Sequence, residues 1–352
     1  MNYKQTEKEL TDRLIDLSFA EDIGDGDHTT LCCIPADAMG ESELMIKEEG
    51  IFAGERAAKE VFSRFDPDLK VTMHMHDGDH VRPGDIVLSV SGREQSLLTT
   101  ERLMLNICQR MSGIATMAHR YQQALIDAGT KTRVLDTRKT TPGMRMLEKE
   151  AVRIGGGMNH RIGLFDMILL KDNHIDFCGG VHNAITRARQ YCKDKGLDLK
   201  IECEVRDFAE LNEALKDLPD RIMFDNFTPA DTVKAAELVH AAKNADGTPA
   251  HIETESSGGI TFDTMIPYAK AGVDFISFGA LTHSVKALDM SLKAKVVHDL
   301  RGDIARLVVL ICGAVERERV TGFGLRPEPR HEPQGKGVVE ALHVSLLAKL
   351  LK

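Results

Sequence analysis

The sequence predicts an α/β protein in which a small antiparallel sheet precedes an α/β barrel of about six strands. Three observations carry this reading. Residues 41–92 break into short alternating segments separated by turns such as DGD and RPGD, which is the pattern of hairpin-connected strands. From residue 133 onward, six short aliphatic segments follow one another (RVLD, MILL, IECEV, IMF, HIETE and DFISF), each trailed by a helical stretch. An alternating βαβα order calls for a parallel sheet with right-handed crossovers. Each of these strands also runs straight into polar or glycine residues, and functional groups gathered at the carboxyl ends of successive parallel strands are what a barrel presents at its active face. An open doubly wound sheet would collect them at one switch point instead.

The elements follow in order. Leu10, Leu14 and Leu17 recur at helical spacing between residues 4 and 20, and the Gly24 to Asp27 cluster ends that helix. Strands are predicted at Glu43 to Lys47, Val71 to His76 and Ile86 to Val90. His74 and His76 share a strand face with Thr72; this is a metal-compatible arrangement, but a solvated strand face is the better reading and no role is assigned. Residues 93–127 form helical connectors, with Leu98, Leu105, Met111 and Ile114 among their apolar positions and a break expected at Ser112 and Gly113.

Composition narrows the function classes. A chain of 352 residues with 42% hydrophobic side chains can bury a core and form more than one domain. A net charge of -9 argues against non-specific nucleic-acid binding, which needs an excess of Lys and Arg. The charged opening MNYKQTEKELTDRL and the lack of any apolar run of roughly 18 to 20 residues place the chain in the cytosol and off the membrane. Seven scattered cysteines without a C-x-x-C pair suggest neither a disulfide framework nor a structural zinc site.

The strand ends hold the chemistry. Arg138, Lys139, His160, Arg161 and Lys171 form a dense positive set for an acidic protein. Singly, each reads as a surface charge or a helix cap; crowded at one barrel mouth they repel unless an anion joins them. Arginine matches a carboxylate through paired hydrogen bonds and lysine adds a compact charge. Glu204 and Asp225 end two further strands. They read either as counter-ions or as groups that serve ribose hydroxyls and the waters of a magnesium ion. Ser257, Gly258 and Gly259, and then Gly279 and Ala280, close the last two strands with small residues, which let backbone N–H groups approach a phosphate.

Six segments carry a family resemblance: ERLMLNICQRMSGIAT (101–116), LDTRKTTPGMRMLEKEAVRIGGGMNHRIGLFDMILLKDNHI (135–175), IECEV (201–205), FDNF (224–227), ESSGGI (255–260) and ISFGALTHSVKALDMSLK (276–293). Together they closely resemble the quinolinate phosphoribosyltransferases, over about residues 10 to 295, with DTRKTTPG, GGG-x-NHR and KDNH the most specific in combination. The resemblance implies an N-terminal open α/β sandwich with connector helices over residues 1–115, an incomplete barrel of about six strands over 116–295, and a C-terminal extension, 296–352, outside the family pattern. It implies transfer of phosphoribosyl from phosphoribosyl pyrophosphate to quinolinate with loss of carbon dioxide, magnesium as the only cofactor, and a homodimer or larger assembly with shared sites.

By position, the resemblance makes Arg102, Thr137, Arg138, Lys139, His160, Arg161 and Lys171 the quinolinate and pyrophosphate pocket, with Arg102 supplied across a dimer interface. Glu204 and Asp225 become the ribose and metal-side acids, with no side chain assigned as a direct magnesium ligand. Ser257, Gly258, Gly259, Phe278, Gly279 and Ala280 become the 5-phosphate loops, and Lys139, Lys171, Glu204 and Asp225 the catalytic set. In the extension, DIARLVVLICGAV (303–315) and VVEALHVSLLAKLL (338–351) read as apolar helices or strands around a proline-rich spacer.

Overall fold

The computed structural model describes residues 6–295, so the C-terminal extension lies outside the described residues. The chain begins with α1 (Glu7–Ile23), closed at its start by Thr6, whose side chain accepts from Glu9 N–H while Glu9 reaches back. This reciprocal cap satisfies two of the amides that a helix start leaves open. The helix ends at Gly24, as expected, but its buried side runs through Thr11 and Ile15, and Leu17 is 66% exposed. A short α2 (His28–Cys33) follows, capped by Asp27.

The first sheet is antiparallel. Its strands are β1 (Met39–Ile46), β3 (Lys70–Met73) and β5 (Ile86–Arg93), with β2 (Gly50–Ile51) and β4 (His80–Val81) forming a separate pair and α3 (Glu55–Phe65) packed alongside. Strand β3 stops at Met73, short of the two histidines expected in it. His74 instead meets Ser89 Oγ at 2.8 Å and His76 meets Glu55 at 2.9 Å, both exposed, in line with a solvated face.

Helix α4 (Glu94–Asp127) runs unbroken for 34 residues, about 50 Å at the usual rise. The break expected at Ser112 and Gly113 does not occur, because both residues serve neighbouring backbone. Ser112 Oγ accepts from Ala53 N–H at 2.9 Å and donates to Ala53 O at 3.1 Å. Gly113 leaves room for the backbone of Lys286, whose carbonyl would lie 2.2 Å from an added Cβ. Leu105, Met111 and Ile114 are buried as read, whereas Leu98 is 43% exposed.

The second sheet has six parallel strands: β6 (Arg133–Leu135), β7 (Ile168–Leu170), β8 (Ile201–Val205), β9 (Arg221–Asp225), β10 (Glu253–Ser257) and β11 (Phe275–Ser277). They lie in the order β6-β11-β10-β9-β8-β7, with α5 (Arg145–Ile154), α6 (Asp172–Cys178), α7 (Val181–Lys195), α8 (Phe208–Asp217), α9 (Pro229–His240), α10 (Met265–Lys270) and α11 (Ala280–His283) in the connections. This is the partial barrel that the strand count predicts. After it, β12 (Met290–Ala294) returns to the first sheet and pairs antiparallel with β1, Ser42 opposite Ala294. The sequence reading did not include that strand. Among the described residues, no helix is long and apolar enough to cross a membrane.

Candidate active site

The carboxyl ends of the six parallel strands surround a cavity of about 630 Å³. Thr137, Arg138, Lys139, His160, Arg161, Lys171, Glu204, Asp225, Ser257, Gly258, Gly259, Phe278, Gly279 and Ala280 all line it. Every site residue expected from the strand ends is therefore in one place. Arg102 is not. It sits exposed on α4 and lines a second, smaller hollow of about 370 Å³ together with Leu14, Asp22 and Arg110.

Strand periodicity explains the placement. Residues two apart on a strand share a face, so Glu202 and Glu204 both project inward from β8, as do Glu253, Glu255 and Ser257 from β10. Lys171 follows β7 directly, and its N–H donates to His174 Nδ1 at 3.0 Å, which gives the histidine of KDNH a positioning role at the start of α6. After β9 the chain turns at Asn226 with φ 56°, and Gly258 packs against it so closely that an added Cβ would lie 2.3 Å from Asn226 Oδ1. Gly259 carries φ 64° beside it, a conformation for which glycine costs least.

The cavity wall is strongly positive. Burial, and then the neighbouring Arg138, push the Arg161 guanidinium below its ordinary value, and the same two causes act on Arg145 just behind. Buried Arg138 Nε finds no protein acceptor. Lys171 Nζ lies 3.5 Å from Glu204 Oε2, which pulls the Glu204 carboxyl down against a larger upward push from burial.

Residues away from the strand ends support these groups. Lys149, from the middle of α5, is buried against Asp136 and also donates to His160 O at 3.1 Å, while His160 N–H donates to Asp136 Oδ1 at 2.9 Å. Burial pushes Asp136 up to about 6 despite that lysine. His160 itself is only 7% exposed. It forms part of the cavity floor, not one of its exposed cations, and burial pushes its imidazole below the ordinary value. The expectation of a fifth positive group there is corrected: a desolvated imidazole favours its neutral form. Below it lie Glu202, Glu255 and Arg221, all buried. The signal for these residues was present as charged residues inside otherwise apolar elements, in MRMLEKEAVRI and IECEV. Leu169, Met223, Glu255, Ile260, Thr261, Ser277 and His283 complete the lining and were also not singled out.

Comparison with known proteins locates this arrangement. Residues 27–112 match the profile of the quinolinate phosphoribosyl transferase N-terminal domain and residues 114–293 that of its C-terminal domain. A probable carboxylating nicotinate-nucleotide pyrophosphorylase of Bacillus subtilis (strain 168) is 46% identical over 292 residues, covering 83% of this chain and 94% of the relative. A chloroplastic carboxylating nicotinate-nucleotide pyrophosphorylase of Arabidopsis thaliana is 43% identical over 290 residues, covering 80% and 81%. Among solved structures, the nicotinate-nucleotide pyrophosphorylase of Francisella tularensis superposes with a TM-score of 0.74 at 37% identity, over 83% of this chain and 98% of that one.

Proposed function

Because the chain belongs to the quinolinate phosphoribosyltransferase family, we propose that the cation-lined mouth of its barrel is where quinolinate and phosphoribosyl pyrophosphate meet. The chain is a decarboxylating phosphoribosyltransferase: it converts these substrates to nicotinate mononucleotide, carbon dioxide and pyrophosphate in de novo NAD biosynthesis. The observation that carries the site assignment is the juxtaposition, in one cavity, of Arg138, Lys139, Arg161 and Lys171 with Glu204 and Asp225. Two carboxylates on a pyridine and a diphosphate leaving group are the charges such a wall matches.

The chemistry follows from that charge pattern. As the pyridine nitrogen attacks the anomeric carbon, positive charge grows on the sugar and negative charge on the departing pyrophosphate. Lys139 and Arg138, on a loop whose backbone Thr282 holds at Lys139 O, place positive charge where the departing charge develops. Glu204 and Asp225 face the ribose, where their hydroxyl-accepting oxygens favour the developing cation. Both are oxygen-bearing groups on adjacent strands lining the cavity, and would hold a magnesium ion through its waters, neither carboxylate being assigned as a direct ligand. When bound, magnesium neutralises pyrophosphate charge. Lys171 and Arg161 hold the ring carboxylates. Once the nitrogen is quaternised, the adjacent carboxylate leaves because the electron pair remains beside a formal positive charge.

Ser257 to Gly259 and Phe278 to Ala280 present the small-residue turns that suit the 5-phosphate. Arg102 lies outside this chain's cavity, exposed on α4, which supports its supply to a neighbouring subunit of a homodimer with shared sites. The setting is cytosolic. The assignment is tested by measuring carbon dioxide release from quinolinate with and without phosphoribosyl pyrophosphate and magnesium. Release only when both are present supports it; release that ignores either one contradicts it.

A further inference from the structure

We propose that a proton held between Glu202 and Glu255 on the cavity floor, beside His160, is the one delivered to C2 of the pyridine ring when its carboxylate leaves; this rests on the cavity being the quinolinate site. Glu202 and Glu255 are both 0% exposed. His160 Nε2 lies 2.8 Å from Glu202 Oε2 and 3.5 Å from Glu255 Oε2, and one atom from each of the three residues falls within 4.8 Å of the others. Both Glu202 oxygens, Glu255 Oε1 and His160 Nε2 lack an aligned protein hydrogen bond. With no other protein group claiming these atoms, they are left to share a proton among themselves. Glu255 and His160 also line the cavity, so the store opens onto the substrate.

The surrounding charges require that proton. Arg221 is the cation nearest the pair, with Nη1 3.4 Å from Glu255 Oε2. Its firmer contacts go to Glu253, through Nη2 at 2.9 Å and Nε at 3.1 Å. His160 Nδ1 accepts from Arg161 N–H at 2.7 Å, which leaves the single proton of the neutral ring on Nε2. The other groups facing the cluster are the Arg161 guanidinium, which pulls Glu202 down, Glu204 on β8, Ser277 on β11, Asp136 after β6 and Lys149 on α5, the last two engaged with each other. Two desolvated carboxylates cannot both ionise cheaply when one nearby guanidinium, Arg221, is engaged mainly by Glu253 and the other, Arg161, acts on Glu202 alone. Burial accordingly pushes Glu202 and Glu255 each up to about 7, while it holds His160 neutral.

The transfer balances. The bond from C2 to its carboxylate breaks, carbon dioxide departs and the electron pair stays on C2. That pair takes the proton of the Glu255 carboxyl, forming the C–H bond and leaving Glu255 an anion. Solvent returns the proton through the open mouth after product release. The cations of the wall are poor competitors, since ammonium and guanidinium groups ordinarily give up protons only above about pH 10, whereas an acid near neutrality is matched to the task.

The test reads the donor directly. Wild type and Glu255→Gln are run in equal parts H2O and D2O, and the protium to deuterium ratio at C2 of nicotinate mononucleotide is measured by mass spectrometry. The proposal expects a changed ratio in the variant, with kcat lowered about a hundredfold, the usual worth of a positioned acid, and the KM for quinolinate little altered. An unchanged ratio in folded Glu255→Gln overturns it, as does a ratio that moves only in Glu204→Gln. Glu202→Gln is the second variant, with the same expectation. In the wild type, kcat falls as pH rises through about 7, the value to which both carboxyls are pushed; a kcat independent of pH across that range overturns the proposal without any variant. Failure of the wild type to form nicotinate mononucleotide at all would instead sink the site reading beneath it.

Discussion

Arg110 Nε, on the long helix α4, donates to Glu148 Oε1 of the barrel helix α5 at 2.7 Å. The same guanidinium donates through Nη2 to Thr141 Oγ1 at 2.9 Å and to Thr282 O at 2.7 Å. Glu148 is fully buried and its second oxygen accepts from Thr141 N–H at 3.0 Å, while Thr282 Oγ1 donates to Lys139 O at 2.9 Å. One arginine thus holds the loop that carries Arg138 and Lys139 directly at Thr141 and, through Thr282, at Lys139. Replacing Arg110 with Met strands a buried carboxylate, so unfolding in urea should show a loss of roughly 3 kcal/mol, within the range for breaking a buried pair. Activity at saturating substrate should fall as well, because the loop loses its anchor. Wild-type stability in the variant would contradict this role.

Gly113→Ala tests why α4 runs unbroken. Its Cβ would sit 2.2 Å from Lys286 O and 3.1 Å from Ala287 Cα. Alanine favours a helix interior by about 1 kcal/mol over glycine, yet overpacking costs typically 1–3 kcal/mol. The clash is with backbone, which cannot rotate away, so we expect net destabilisation by thermal denaturation. A stabilised variant would show that the contact at 285–288 yields easily.

Stability should respond to pH through the cavity floor. Unfolded glutamates give up their protons near 4.5, whereas Glu202 and Glu255 hold theirs to about 7 in the folded chain. Between those values the native state binds more protons than the unfolded state, so this pair makes stability fall as pH rises from about 4.5 to 7 and contributes no further change above. Glu255→Gln removes one titrating group and should flatten that slope, measured as urea midpoints at several pH values. Equal slopes in variant and wild type would contradict the burial account.

Arg102 and Lys139 should complement in trans. The proposed shared site predicts that Arg102→Ala and Lys139→Ala homodimers are each impaired, and that mixing them with subunit exchange restores one complete site per mixed dimer. Recovered turnover, with mixed dimers seen by native mass spectrometry, is the expected result. Mixed dimers without recovery would place Arg102 outside any site.

Most of the fold and the rim of the site could be read from sequence because both are local signals. RVLD or IECEV announces a strand by its residue types and a strand end by the polar residue that follows, so Lys139, Lys171, Glu204 and Asp225 were found where the strands deliver them. What escaped depends on partners far along the chain. Glu148 and Lys149 look like a solvated helix face until Arg110 and Asp136 are brought beside them. Ser112 and Gly113 look like a break until Ala53 and Lys286 occupy the space. MSLKA becomes β12 only because β1 offers it an edge. His160 reads as a cation until its burial in the cavity floor is seen, a desolvation that outweighs the opposite pull of Glu255.

The most direct test of the account is the ratio of kcat/KM for quinolinate to that for nicotinate, each with phosphoribosyl pyrophosphate and magnesium. A wall holding Arg138, Lys139, Arg161 and Lys171 in one cavity suits two ring carboxylates, and nicotinate would leave part of it unpaired. Losing one desolvated charge-assisted contact costs about 1.5 to 3 kcal/mol, so quinolinate should be preferred by roughly ten-fold to a hundred-fold or more. Equal turnover of the two acids would contradict the assignment of this cavity to a dicarboxylate.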